Sequence, residues 1–141
     1  ASAVYKGQVD NQPYRLLKLA TPGPFTFILD ASKEVPRRVS HPSRKTIGLR
    51  VPNHAVVHEL LALHMAPLLG TTLIMPGDTL PLNDPQEIRD RLLNSVNGVI
   101  DAGACTLEPT TVLDLTTMQT GGAPQVVRDG AGDWRALGIE S

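Results

Sequence analysis

Pro22-Gly23-Pro24 constrains the fold of this chain more than any other stretch. It breaks a helical pattern and leads without a linker into Phe25-Thr26-Phe27-Ile28-Leu29, which reads as a buried strand. The preceding helix is expected to be capped by Asp10, with Pro13 near its first turn and the run Tyr14-Arg15-Leu16-Leu17-Lys18-Leu19 as its body. The same alternation continues downstream. Thr46 to Val51 reads as a strand, and Pro52-Asn53 caps a helix from His54 to His64 with an apolar stripe of Val57, Leu60, Leu61 and Leu63. Thr71 to Met75 is a short strand ended by Pro76-Gly77. Asp84, with Glu87 three positions on, opens a helix lined by Ile88, Leu92 and Val96. Val99-Ile100, Thr111 to Leu115 and Gln125 to Arg128 are further strands, and Gly121-Gly122-Ala123-Pro124 turns between the last two. Helices interleaved with short strands predict a layered α/β domain, and short closing turns predict a mixed sheet.

With 141 residues, 41% hydrophobic and 19% charged, the chain suits one globular domain with a real core. No apolar run approaches the roughly 18–20 residues of a membrane span, and no signal peptide opens the chain. Cys105 is the single cysteine, so no internal disulfide forms, and a cytoplasmic location is expected. The chain begins at Ala1 without a methionine and is expected to be a processed or truncated piece.

The net charge of −1 excludes a nucleic-acid polycation, yet the charge is unevenly placed. Residues 31–51 carry six basic side chains (Lys33, Arg37, Arg38, Arg44, Lys45 and Arg50) against Glu34. Residues 52–127 carry two basic side chains and eight acids. The basic segment is a candidate phosphate footprint, with a solvated loop as the alternative. No aromatic side chain lies inside it, so backbone and shape reading of a duplex fits better than stacking on single strands.

The strand that closes this segment has two unlike faces. Alternation puts Ile47, Leu49 and Val51 on one side and Thr46, Gly48 and Arg50 on the other. The second face offers a hydroxyl, a bare backbone and a guanidinium, which suits an anionic small molecule.

Several segments together resemble the C-terminal two-thirds of the YrdC/YciO family, nearest its YciO branch. They are Pro22-Gly23-Pro24-Phe25-Thr26-Phe27-Ile28-Leu29, Lys33-Glu34-Val35-Pro36-Arg37-Arg38, Arg44-Lys45-Thr46-Ile47-Gly48-Leu49-Arg50-Val51-Pro52, Asp84-Pro85-Gln86-Glu87-Ile88, Pro109-Thr110-Thr111-Val112-Leu113-Asp114-Leu115 and Val126-Val127-Arg128-Asp129-Gly130. The resemblance implies one YrdC-like domain over residues 1–141, lacking its N-terminal third, with a twisted α/β sheet and a concave basic surface. It implies binding of double-stranded RNA or tRNA through Lys33, Arg37, Arg38, Arg44 and Lys45. In enzymatic members it implies a nucleotidyltransferase that makes threonylcarbamoyl-adenylate from threonine, bicarbonate and ATP, with Mg²⁺ sharing the phosphates, for a modified tRNA adenosine. By position, Thr46, Thr72 and Arg128 match nucleotide contacts, and Arg50 and Thr110 match threonine contacts. Where the enzymes carry Thr-Ser-Ala-Asn, this chain has Thr71-Thr72-Leu73-Ile74, and Ile74 removes an amide donor and acceptor. The family's Pro-Thr-Asp/Glu strand and Lys-x-Arg segment have no match here. The chain alone is therefore expected to be inactive as a synthase, leaving a binding module or a non-catalytic partner domain.

Other constellations read as structural. His54 and His58 have a zinc-like spacing on a helix without a third ligand, so no metal site is expected. Cys105 has no nearby histidine base and is expected to be a buried or half-buried thiol. Asp129-Gly130-Ala131-Gly132-Asp133 reads as a tight turn with a helix start at Asp133, without the Lys-Ser/Thr of a phosphate loop.

Overall fold

The computed structural model describes residues 11–31, 43 and 45–140. The expected Asp10 cap and four of the proposed RNA contacts, Lys33, Arg37, Arg38 and Arg44, lie outside the described residues. The described chain falls into two compact units. One comprises residues up to Leu68 together with those from Pro109 onward, and the other comprises Leu69–Glu108.

The first unit is built on four strands: β1 (Phe25–Asp30), β2 (Thr46–Leu49), β3 (Thr111–Asp114) and β4 (Gln125–Arg128). Their order is β2-β1-β3-β4. The central pair β1 and β3 is parallel, and both outer pairs are antiparallel, so the sheet is mixed as expected. Helix α1 (Asn11–Ala20) precedes β1, and α2 (Ala55–His64) follows β2.

Period-2 alternation divides the sheet into an apolar and a polar face. Phe25, Phe27 and Leu29 of β1, Leu49 of β2, and Leu113 with Leu115 at β3 are buried. They join Leu16, Leu17 and Ala20 of α1 and Trp134 and Ile139 of the C-terminal segment in one core. The helix can lie so close because Gly23 has no side chain: a Cβ there would stand 2.6 Å from the Ala20 carbonyl oxygen. The Thr21 hydroxyl donates to Leu17 O at 2.7 Å, satisfying a carbonyl of the last helical turn. The Thr21–Pro22 peptide is cis.

Helix α2 departs from its expected cap. His54, not Asn53, occupies the capping position, and it makes no side-chain bond to the helix. His58 instead reaches back, its Nε2 lying 2.7 Å from Pro52 O. Val57 and Leu61 are half-buried, whereas Leu60 and Leu63 of the expected stripe are exposed.

In the second unit, α3 (Pro85–Leu92) starts as the sequence indicates. Asp84 Oδ1 accepts from Gln86 N at 3.1 Å, and Pro85 occupies the first turn. Glu87 does not close a capping box; it lies 3.5 Å from Arg91, which also pairs with Asp78 at 3.0 Å. Ile88 and Leu92 are half-buried, but Val96 is exposed. The expected strands at Thr71–Met75 and Val99–Ile100 do not form. A strand is completed by the hydrogen bonds of a neighbour in register, and no strand lies among residues 69–108. Leu82 N donates to Leu73 O, but Ile74 N turns back to Thr72 O. Cys105 is exposed rather than buried.

Candidate functional site

The polar face of the sheet carries the side chains left over once the core is filled. Directly opposed residues share a face, so Ile28 opposite Gly48, Asp30 opposite Thr46, Thr26 beside Val112, Ile28 beside Asp114, and Val112 opposite Arg128 all belong to it. One register step beyond the Phe27–Leu49 pair brings Arg50 to the level of Thr26.

This face is electrically polarised along the strands. Asp30 and Asp114 lie at the C-terminal end of the parallel pair, where Asp114 Oδ1 accepts from Thr116 N at 2.9 Å and from the Thr116 hydroxyl at 2.6 Å. At the N-terminal end sit Thr26, Thr110, Arg50 and Arg128, with no acid ion-paired to either arginine among the described residues. The second end therefore carries the two arginine charges of this face.

There the contacts are specific. The Thr26 and Thr110 hydroxyl oxygens are 2.8 Å apart, bridging the parallel strands. Arg128 folds over the start of β3: its Nε and Nη2 donate to Thr110 O at 3.0 and 2.8 Å, and Nη2 also donates to Thr110 Oγ1 at 3.1 Å. Both Nη1 hydrogens remain for a ligand, because the guanidinium has five donors and these bonds use its other edge. Arg50 is exposed and has no hydrogen-bond or ion-pair partner among the described residues. Gly48, also exposed, leaves the backbone of β2 bare two residues before Arg50, opposite Ile28.

The platform is held from beneath by Thr111. This residue is fully buried, and its hydroxyl donates to Gly132 O at 2.7 Å while accepting from Gly130 N at 3.1 Å and Gly132 N at 2.9 Å. The 129–133 turn is thereby tied to β3. Both glycines are needed for the fit: a Cβ on Gly130 would strike the Pro109 carbonyl oxygen, and one on Gly132 would stand 2.5 Å from the Phe25 ring. Trp134 completes the anchor, its Nε1 donating to Asp129 Oδ1 at 3.0 Å beneath the Arg135 guanidinium. The expected helix start at Asp133 is a short 3-10 turn over Arg135–Leu137, with Asp133 Oδ1 accepting from Ala136 N.

The structure thus brings Arg50, Thr110 and Arg128 to one end of one face. Thr46 lies on the same face but four residues from Arg50, about 13 Å along the strand and level with Asp30. Lys45, exposed and left-handed at φ 52°, begins β2. Thr72 is exposed in the second unit, and its carbonyl accepts from Ile74 N. Thr26 escaped the sequence reading as a site residue, although its signal was present: a lone hydroxyl between two core phenylalanines must face the other side of the strand. No group of three His, Cys, Asp or Glu side chains converges among the described residues. None of their helices is long and apolar enough to cross a membrane.

A mixed sheet with one packed face and one polar, hydroxyl- and arginine-bearing face makes this a layered α/β domain. The chain belongs to the Sua5/YciO/YrdC family, whose model, described as telomere recombination, matches residues 1–130. YciO of Escherichia coli strain K12 is 47% identical over 125 residues, covering 89% of this chain and 59% of YciO. The crystal structure of E. coli YciO matches with a TM-score of 0.81 at 45% identity, covering 92% of this chain and 61% of that one. Human threonylcarbamoyl-AMP synthase is 32% identical over 91 residues, 64% of this chain and 32% of the enzyme. The structure of P. abyssi Sua5 complexed with L-threonine shares the fold, with a TM-score of 0.72 at 24% identity over 87% of this chain and 35% of that one. The chain therefore spans about three-fifths of the length of YciO and is related to the threonylcarbamoyl-AMP synthases.

Proposed function

We propose that this chain is a binding module of threonylcarbamoyl tRNA chemistry, taking threonine and an adenine nucleotide on its polar sheet face and structured RNA through its basic segment. The observation that carries this reading is the Arg128 guanidinium bound to Thr110 Oγ1 beside the Thr26–Thr110 hydroxyl pair, with the unpaired Arg50 one register step beyond Phe27–Leu49 on the same face. A free guanidinium suits a carboxylate, and a clamped one with two spare hydrogens suits a phosphate oxygen. Thr46, farther along the same face, would meet the nucleotide at its other end. Bicarbonate and ATP with Mg²⁺ enter as substrates only in the second reading, in which the full-length protein is a threonylcarbamoyl-AMP synthase; the identity to the human enzyme favours it. In that reading Ile74 and the upstream elements decide activity.

Calorimetric titration with L-threonine and with ATP tests the module directly, and binding of neither refutes it. Retention of duplex RNA on filters is expected to fall steeply with salt and to weaken in the Arg38→Ala, Arg50→Ala double variant; retention indifferent to salt would remove RNA from the proposal. Threonine- and bicarbonate-dependent pyrophosphate release from ATP by the full-length protein tests the synthase reading.

Gly48 separates binding from folding. Its φ is not left-handed, and a Cβ would meet only Thr26 Cγ2, at an ordinary 3.6 Å. Gly48→Ala is expected to leave the melting temperature unchanged or slightly raised, because alanine restricts the unfolded chain. Its methyl obstructs a ligand lying on the strand, so titration should show affinity lower by about tenfold. Unaltered affinity would mean that no ligand approaches this backbone.

A further inference from the structure

We infer that Thr26 is a positioning residue for the anion site: its hydroxyl commits the Thr110 hydroxyl to donate to an anionic oxygen held beside Arg128. The inference rests on the anion-binding reading above. It starts from the one contact whose direction is certain. A guanidinium only donates, so at the 3.1 Å contact with Arg128 Nη2, Thr110 Oγ1 is the acceptor. One lone pair and one proton are left on that hydroxyl.

Thr26 Oγ1, 2.8 Å away, engages one of the two. If Thr26 donates, both Thr110 lone pairs are filled, and its proton is the single unspent donor. If Thr110 donates, the unspent proton is on Thr26. An arriving carboxylate or phosphate oxygen beside Arg128 selects the first arrangement, because a hydroxyl that accepts twice is a stronger donor. The Arg128 Nη1 hydrogens and the Thr110 proton then converge on one oxygen. A ligand presenting an ammonium group there is opposed by the like charge of the Arg128 guanidinium.

The Thr26 side chain is set for this task by its strand neighbours. Its methyl points toward Gly48 on β2, and its hydroxyl toward Thr110 beside β3. The two strands flanking β1 thus fix one rotamer, and β-branching stiffens it.

The test uses Thr26→Val, which keeps the shape and removes the hydroxyl, with Thr26→Ser as the conservative rescue. L-Threonine and AMP are titrated separately into all three proteins by calorimetry, so that a carboxylate and a phosphate are told apart. Thr26→Val is expected to bind one of the two about five- to tenfold more weakly, the loss of one hydrogen bond to the charged form. Thr26→Ser is expected to recover affinity to within about twofold, as befits a role that resides in the oxygen. Melting temperatures report folding, and should the valine variant be unfolded, Thr26→Ala is read in the same way. Undiminished binding of both probes by the hydroxyl-free variant overturns the inference while leaving the anion site standing. Loss without rescue by serine overturns it too, since packing would then be the cause. A wild-type protein that binds neither probe overturns this inference and the proposed function together.

Discussion

Thr111→Val is expected to destabilise the first unit by about 3–5 kcal/mol, or to prevent folding, although valine has the same shape and a higher preference for strands. The threonine hydroxyl is fully buried and serves three backbone groups of the 129–133 turn. Valine leaves Gly130 N, Gly132 N and Gly132 O without that partner, and each orphaned buried group costs on the order of 1–3 kcal/mol. A domain of this size has only about 5–15 kcal/mol of total stability, so the loss is visible in urea denaturation. Thr111→Ser keeps all three bonds and should cost only about 1 kcal/mol, for one methyl group. If valine and serine destabilise equally, the hydroxyl is not what ties the turn to β3. Because the turn follows Arg128 directly, partial loosening should also weaken ligand binding before the fold is lost.

Arg50→Ala should have the opposite profile: unchanged stability and a loss of carboxylate affinity of about 10- to 100-fold. The side chain is exposed and makes no hydrogen bond or ion pair with a described residue, so no polar contact of the fold depends on it. All of its donors are available to a ligand, and a bidentate carboxylate pair is among the strongest hydrogen-bonded contacts. Arg50→Lys keeps the charge but not the planar fork, so it should restore only part of the affinity. Thermal melting alongside L-threonine titration reads both quantities. Wild-type affinity in Arg50→Ala would assign the carboxylate elsewhere on the face.

Much of this was legible in the residues. Alternation in Phe25-Thr26-Phe27-Ile28-Leu29 and in Thr46-Ile47-Gly48-Leu49 separated core from polar face, because the strand period of two is a local property. The Asp84 cap was equally local. Failures came where the outcome depends on distant partners. Thr71–Met75 and Val99–Ile100 have strand-like residues, but a strand requires a neighbour in register, and no strand lies between residues 69 and 108. Cys105 is exposed, not buried or half-buried as a small apolar thiol usually is, and no residue of 69–108 belongs to the buried core.

The sequence by itself determined the family, through the order of its matching segments, and the α/β class and the polar side chains of each strand, through residue type and short-range periodicity. Only the tertiary structure decided which of those side chains meet. The parallel pairing of β1 with β3 joins Thr26 to Thr110 across 84 residues of chain, and the antiparallel return of β4 brings Arg128 onto Thr110. The same register holds Thr46 at the acidic end, away from Arg50. Strand order and register arise from burying one apolar face against α1 and the C-terminal segment, a cooperative choice that no single stretch of the chain contains.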